Sequence, residues 1–151
     1  MLDDLDRRIL RHMQADPEES LPALAERLSL SPSRLTRRLD KLRETGVLRG
    51  QHATISWRAL GYEVEVSLRV TLDKTQPRAF DDFIEGARAI PEVIEIQTFL
   101  GRVDVRLSVI ARDLAHYQQL YRDRILTLPH IADIEALMHI ARVKSDEALP
   151  V

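Results

Sequence analysis

The first 46 residues carry apolar side chains at helical spacing in three successive segments. The first segment runs from about Leu2 to Ala15 and places Leu5, Ile9 and Met13 on one face. The next two segments carry similar stripes: Leu21, Leu24, Ala25 and Leu28, then Leu35, Leu39 and Leu42. Three amphipathic helices can bury their apolar stripes against one another. The pattern therefore predicts an N-terminal domain of three helices around a small core.

The junction between the second and third predicted helices has the sequence signals of a tight turn. Ser29-Leu30-Ser31 interrupts the apolar spacing, and Pro32 follows where proline is tolerated, in the first turn of a helix. Ser31 is suited to cap the third helix because its hydroxyl can accept a hydrogen bond from a free backbone amide. Gly46 is a suitable helix stop. This layout is typical of a helix–turn–helix, whose second helix enters the DNA major groove.

The region of the third predicted helix is cationic although the chain as a whole is not. Seven basic and two acidic residues lie between Ser31 and Arg58, whereas the chain has a formal net charge of −2. Clustered cations are typical of phosphate binding; the alternative is a helical hairpin with a solvated basic face. Arginine can read guanine in the groove, and Lys41 and Arg49 are expected at phosphates. The predicted DNA contacts are Ser31, Ser33, Arg34, Thr36, Arg37, Arg38, Lys41 and Arg49.

Residues 47–57, with the sequence VLRGQHATISW, contain two short extended stretches around Gly50. They predict the hairpin wing of a winged helix, with a plain connector as the alternative. On this interpretation residues 1–57 form a winged helix–turn–helix DNA-binding domain, and residues 58–62 form a linker.

Beyond residue 62 the apolar positions alternate, as in a strand that is buried on one face. The predicted elements are a strand over 63–72, a helix over 77–90, strands over 93–100 and 103–111, a helix over 113–129 and a strand over 131–143. The order βαββαβ predicts a ferredoxin-like domain with an antiparallel sheet over residues 63–146, followed by a frayed tail over 147–151. The fold class is therefore α+β. We expect further apolar side chains on the sheet face without helices, and self-association through them.

Composition argues against several other classes of protein. The chain has no cysteine, which excludes disulfides and thiolate metal sites. No apolar run approaches the roughly 20 residues that cross a bilayer, and the charged N-terminal sequence is unlike a secretory signal. A cytoplasmic protein without a membrane partner is expected. The five histidines form no H-x-x-x-H pair, and no P-loop or nucleophile-elbow motif occurs. We therefore expect no catalytic residue, no metal and no cofactor.

Four stretches of the chain, taken in order, fit the pattern of one known family. LDDLDRRIL is similar to that family's LDxxDxxIL, and LAERLSLSPSRLTRRLDKLRETGVLRG is similar to its LAxxVGLSxxxVxxRVxxLExxGVIxG. In the second predicted domain, FLGRVDVRLSV is similar to a G-x-x-D-Y-x-L turn and strand, and LPHIADIEALMHIARVK resembles the final helix end and strand. The chain thereby resembles, over nearly its whole length, the Lrp/AsnC family of bacterial and archaeal transcriptional regulators.

The resemblance implies a sequence-specific regulator that is not an enzyme and that dimerises through its C-terminal sheets, with dimers assembling to tetramers or octamers. A symmetric dimer implies an imperfect palindrome in double-stranded DNA as the operator. The resemblance also implies a small-molecule effector, commonly an amino acid, at the turn after the second strand. There, Asp104 could pair with an α-ammonium group. The matching positions are Thr98, Leu100, Gly101, Arg102, Val103 and Asp104.

Departures from the family pattern leave the effector open. Arg102 and Val105 stand where many amino-acid-responsive members have an acidic or amide residue and a tyrosine. Arg102 could hold a carboxylate bidentately, so another small carboxylate, or no effector, is the alternative to an amino acid. Two alternatives to a regulator also stay open. One is an enzyme similar to the siroheme decarboxylases, and the other is a ligand sensor that has lost DNA binding.

Overall fold

A computed structural model of the chain describes residues 2–144 and 148–151. The described residues fall into two compact units, the first within Met1–Thr54 and Lys144–Val151 and the second comprising Ile55–Val143. The predicted boundary between a domain ending at residue 146 and a tail beginning at residue 147 lies outside the described residues.

Three helices form the first unit: α1 (Asp4–Ala15), α2 (Leu21–Arg27) and α3 (Pro32–Glu44). Asp3 caps α1 by accepting a hydrogen bond from the Asp6 amide (2.8 Å), and the Asp6 carboxylate accepts one from the Asp3 amide (3.2 Å). This reciprocal pair is a capping box, here built from two aspartates. Ser31 caps α3, as the sequence predicts, by accepting from the Arg34 amide (3.3 Å).

The three helices bury the apolar stripes that the sequence predicts. The buried cluster of the first unit consists of Ile9, Leu10, Leu24, Ala25, Leu28, Leu35, Leu39 and Leu42. Gly46 has a φ of +72°, a left-handed conformation that glycine adopts without strain, and it follows the end of α3 as predicted.

The predicted hairpin wing is wrong: the structure has no strand within residues 47–57. A strand needs a neighbouring strand to pair its backbone groups, and this segment bonds elsewhere. The Leu48 amide donates to the Leu42 carbonyl (2.9 Å), and the Gln51 side-chain amide donates to the Pro17 carbonyl (3.1 Å). The segment therefore runs as an irregular connector, the alternative that the sequence left open.

The second unit has the predicted βαββαβ order. Its elements are β1 (Val64–Leu72), α4 (Ala79–Arg88), β2 (Val93–Thr98), β3 (Val105–Ala111), α5 (Leu114–Leu120), a π-helical turn (Tyr121–Ile125) and β4 (Ile131–Met138). All strand pairs are antiparallel, in the order β2-β3-β1-β4. The fourth strand ends at Met138 rather than at Val143. After the His139 amide donates to the Glu65 carbonyl (2.9 Å), the chain leaves the ladder.

One face of the sheet packs against both helices. Val66, Leu68 and Val70 alternate along β1 on this face, as predicted, and are at most 1% exposed. They meet Phe83 of α4 and Leu120 of α5 in one cluster. The hydrophobic core of the second unit therefore lies between the sheet and its two helices.

The other face of the sheet is mainly polar. The apolar side chains predicted on it are present at Ile110 and Leu137, which pair with Glu65 and Ser67, but they do not make the face as a whole apolar. On this face β1 presents Glu65, Ser67, Arg69 and Thr71. The Glu65 side chain is 3% exposed and accepts a hydrogen bond from Arg142 Nη2 (2.7 Å). A buried carboxylate needs such a partner. The structure therefore does not support self-association through a continuous apolar sheet face, and the oligomeric state stays a prediction.

Candidate DNA-binding face and effector cavity

The outer face of α3 is an array of exposed cations. Arg34, Arg37 and Lys41 are all exposed, and within the described residues none of them forms a salt bridge. Their spacing of three and four places them on neighbouring turns of one side of the helix. The leucines of α3 face the core on the opposite side, so this cationic side is left to solvent.

Hydroxyl groups cluster at the beginning of α3, beside these cations. The Ser31 and Ser33 oxygens lie 3.4 Å apart, and the Thr36 hydroxyl donates to the Pro32 carbonyl (3.0 Å). All three residues are exposed. A capped helix N-terminus with nearby hydroxyls and cations is suited to contact a phosphate.

Arg38 differs from the other predicted DNA contacts because its guanidinium is engaged inside the unit. Its Nη1 donates to the carboxylates of both Asp3 and Asp6, the latter at 2.8 Å. The Arg38 side chain is 24% exposed and that of Asp6 is 7% exposed. The hydrogen bond from Arg38 lowers the pKa of Asp3, and the two carboxylates raise the pKa of Arg38. The groove contact predicted for Arg38 is thus corrected: Arg38 ties α3 to α1.

Two further basic residues near this face have different surroundings. Arg43 pairs with Asp40 at 3.1 Å, with both side chains more than half exposed. Arg49, the last predicted DNA contact, is exposed on the irregular connector after α3. It therefore sits on no wing strand, and a phosphate contact by Arg49 would come from the connector itself.

The predicted effector turn joins β2 to β3. Thr98 ends β2, Leu100 is fully exposed, and Gly101 has a φ of +156°, at the edge of the region that glycine adopts readily. The Arg102 carbonyl accepts a hydrogen bond from the Thr71 hydroxyl of β1 (2.9 Å). The turn is thereby held against the end of β1.

Asp104 is occupied by the protein itself. Its side chain is 3% exposed. One carboxylate oxygen accepts from the Leu72 amide (2.9 Å) and the other lies 2.9 Å from Lys74 Nζ. Burial raises the pKa of Asp104, but the Leu72 amide and Lys74 lower it further, and the net pKa is below the usual value. Asp104 therefore anchors the turn, and it is not the open carboxylate that the sequence predicted for an α-ammonium group.

A cavity of about 490 Å³ opens beside this turn. Its walls combine two arginines, two acids, a hydroxyl and two apolar side chains: Arg69, Thr71, Arg102, Val103, Asp133, Ile134 and Glu135. Of the predicted effector residues, Arg102 and Val103 line it, whereas Thr98, Leu100, Gly101 and Asp104 do not. Arg69 lies 3.8 Å from Glu135.

Sequence reasoning missed Arg69, Asp133 and Glu135 as cavity residues. The available signal was the alternation of β1, which puts Arg69 and Thr71 on the face opposite Val70. The register then pairs Arg69 with Glu135 and Thr71 with Asp133 across β1 and β4. That register is not readable from one strand alone.

The part of the chain that the structure describes contains no group of three or more His, Asp or Glu side chains that could hold a metal ion. Within the same residues, no helix is long and apolar enough to span a membrane.

A helix–turn–helix unit joined to a ferredoxin-like unit defines a class of ligand-responsive DNA-binding regulators, and two family models match the chain accordingly. Residues 2–49 match a winged helix–turn–helix DNA-binding model, and residues 65–149 match the Lrp/AsnC ligand-binding domain. The chain belongs to the Lrp/AsnC family of transcriptional regulators. The members of this family are DNA-binding transcriptional regulators, which are not enzymes.

Known regulators match the sequence of this chain over almost its full length. It is 31% identical over 152 residues to the HTH-type transcriptional regulator Zrp of Zymomonas mobilis, covering 99% of this chain and 97% of Zrp. It is 27% identical over 150 residues to the leucine-responsive regulatory protein of Escherichia coli, covering 99% and 92%.

Solved structures show the same fold. A transcriptional regulator from Neisseria meningitidis, in complex with L-Met, is 27% identical with a TM-score of 0.89, covering 99% of this chain and 97% of that chain. An AsnC family transcriptional regulator from Agrobacterium tumefaciens is 30% identical with a TM-score of 0.87, with the same coverage. The α+β architecture is therefore the one expected of the family.

Replacing Arg38 with alanine is expected to destabilise the first unit, because it leaves the buried Asp6 carboxylate without its cation. The expected loss is about 1–3 kcal/mol in the free energy of unfolding, measured by urea unfolding. Arg43→Ala is the matched control on the same helix, since the exposed Arg43–Asp40 pair contributes little. An equal loss of unfolding free energy in the two variants would contradict the role of Arg38 in holding α3 against α1.

Acid is expected to weaken the second unit through Asp104. Its pKa is lower in the folded chain than its ordinary 3.8, so its stabilising contribution is complete above that value and is lost as the pH falls through the lower one. Urea midpoints of the wild type and Asp104→Asn, followed from about pH 6 downward, are expected to converge. Asp81→Asn, at an exposed α4 position, is the control and should run parallel to the wild type. A constant gap for Asp104→Asn would refute this assignment.

Proposed function

We propose that the chain is a sequence-specific DNA-binding transcriptional regulator that reads the major groove with the exposed face of α3. The observation that carries this proposal is the set of cations Arg34, Arg37 and Lys41, which are exposed and without salt bridges in the described residues. The major groove of B-DNA is wide enough to admit an α-helix such as α3. Ser31, Ser33 and Thr36 stand at phosphates or at the groove edge, and Arg49 contacts the backbone. Arg38 acts indirectly, by positioning α3.

The proposed assembly is a homodimer that associates further to a tetramer or octamer. Family membership supports it, and the cysteine-free sequence leaves non-covalent contacts as its means. A two-fold dimer then binds an imperfect palindrome with half-sites about one helical turn apart or a multiple of it. A contact through the mainly polar sheet face would bury polar groups together with Ile110 and Leu137.

The proposed effector is a small zwitterion, with an amino acid as the first candidate. The cavity beside the β2–β3 turn supports this because it holds both signs of charge. Arg69 and Glu135 already face each other, so Arg102 and Asp133 are left to hold a carboxylate and an ammonium group. The similar regulator of Neisseria meningitidis was solved in complex with L-Met, which supports an amino acid as the effector of this chain.

The two alternative functions have distinct signatures. A siroheme-decarboxylase-like enzyme would bind a tetrapyrrole and absorb visible light when loaded, whereas a regulator without catalytic residues would not. A sensor that has lost DNA binding would respond to an effector and show no gel shift with any operator. The absence of enzymatic activity and the cytoplasmic location stay predictions of the sequence.

Replacing Arg37 with alanine is expected to weaken specific DNA binding about tenfold or more, since a bidentate base contact contributes that much. Binding is measured by titration of the upstream region of the protein's own gene at fixed salt, because phosphate affinity depends on ionic strength. Arg122→Ala is the control, since Arg122 is an exposed arginine of the second unit that pairs with Asp123. If Arg37→Ala bound as tightly as the control, the α3 interface would be refuted.

Replacing Asp133 with asparagine is expected to abolish the thermal shift that an amino acid produces, because the ammonium group loses its partner. Arg102→Gln should do the same through the carboxylate. A screen of the amino acids by thermal unfolding measures both, with Asp81→Asn as a control outside the cavity. An unchanged thermal shift in both variants would show that the effector does not bind in this cavity. In either case, DNA binding measured on the same samples without an effector is expected to equal that of the wild type.

A further inference from the structure

The last described residues of the chain, Ala148–Val151, lie against the first unit, where the sequence predicted a frayed tail. Ala148 lines a cavity of about 310 Å³ together with residues of α1 and of the connector after α3. Leu10 and Met13 of α1 and Leu48 of the connector form its apolar wall. The tail segment thus forms part of the wall of this groove.

Gln14, in the last turn of α1, holds the backbone of this segment. Its Nε2 donates to the Leu149 carbonyl (3.2 Å), and its Oε1 accepts from the Leu149 amide (2.5 Å). A side-chain amide that bonds both backbone groups of one residue replaces the partner that a neighbouring strand would supply. This contact fixes the segment in position without depending on which side chain Leu149 carries.

Val151 gives the contact an apolar anchor. The Val151 amide donates to the Leu149 carbonyl (2.9 Å), which bends the segment tightly. The Val151 side chain is half-buried and packs against the core of the first unit with Met13 and Leu48. Backbone hydrogen bonds combined with a partly buried apolar side chain are a recurrent way to bind an extended peptide segment.

The two ends of α1 therefore make two different contacts. At its beginning, Asp3 and Asp6 bind Arg38 of α3. At its end, Gln14 binds the tail segment. Since a helix of 12 residues is a stiff element, what fixes one end of α1 also restricts the other.

We propose that Ala148–Val151 is a strap that docks in the groove of the first unit and, through α1, holds the recognition helix α3 in its binding-ready position. The occupant of the groove is this segment of the same chain. With the strap released, α1 and the connector open more often, and the fraction of molecules with α3 correctly held falls. The apparent DNA affinity falls by the same factor.

The test uses the full chain and two variants, Gln14→Glu and Val151→Asp. The first removes the amide donor while keeping the side-chain shape, and the second places a charge on the apolar anchor. Gln119→Glu, at an exposed position of α5, is the matched control. Hydrogen exchange of residues 10–15 and 48–54 is expected to become about tenfold faster in both variants, while β1 and β3 exchange as in the wild type. A chain ending at residue 147 should show the same change.

The second readout is DNA affinity, and this arm rests on the proposed function. Titrations at fixed salt are expected to be roughly three- to tenfold weaker for both variants and unchanged for Gln119→Glu. Unchanged exchange in residues 10–15 would overturn the strap, whereas faster exchange with unchanged affinity would overturn its link to α3. Protection that rises with protein concentration would assign the strap to a second copy and overturn the intrachain contact. If no variant and no wild type bound DNA, the proposed function would fail while the exchange result still decided the strap.

Discussion

The geometry of the DNA-binding unit depends on the ion pair that Arg38 makes with Asp3 and Asp6. The leucines of α3 fix which side of the helix faces the core, but an apolar contact allows a helix to slide and rotate, since it is not directional. Arg38 adds a directional constraint between α3 and the first turn of α1. Arg34, Arg37 and Lys41 lie on the outer side of α3 and stay exposed. Arg38 thus has a structural role, whereas the exposed cations beside it are the proposed DNA contacts.

Features that depend only on the local sequence of one helix or strand are predicted well. Helical spacing places Leu35, Leu39 and Leu42 inward, and the cap at Ser31 follows from residue type; the structure confirms both. Prediction fails where the partner is distant in sequence. Arg38 finds its carboxylates more than 30 residues away, and no spacing within α3 reveals that. The wing and the end of β4 fail for the related reason that a strand exists only with a neighbour.

Asp104 and Asp133, the two acids considered for the proposed effector site, show that the sequence also has this limit in predicting a site. Asp104 occupies the position where the family motif carries its carboxylate, yet it is buried and bonded to Leu72 and Lys74. Asp133, which no motif singled out, lines the cavity because the β1–β4 register brings it opposite Thr71. A motif fixes which residue types are present, whereas burial decides which of them a ligand can reach. The site is therefore defined by the sheet register as much as by the turn.

The charge distribution along the helices of the first unit separates stability from function. The first turn of α1 contains Asp4 and Asp6, which suit the positive end of a helix dipole, whereas the first turn of α3 contains no acidic residue. Instead, α3 carries Arg34 in that turn and Arg37 in the next, where a cation is unfavourable for the helix. A sequence selected for stability alone would place acids there, as α1 does. An approaching phosphate relieves this unfavourable charge, because it supplies the anion that the first turn of α3 lacks. The local electrostatic cost at α3 is therefore a physical reason to assign the polyanion to this helix rather than to α1.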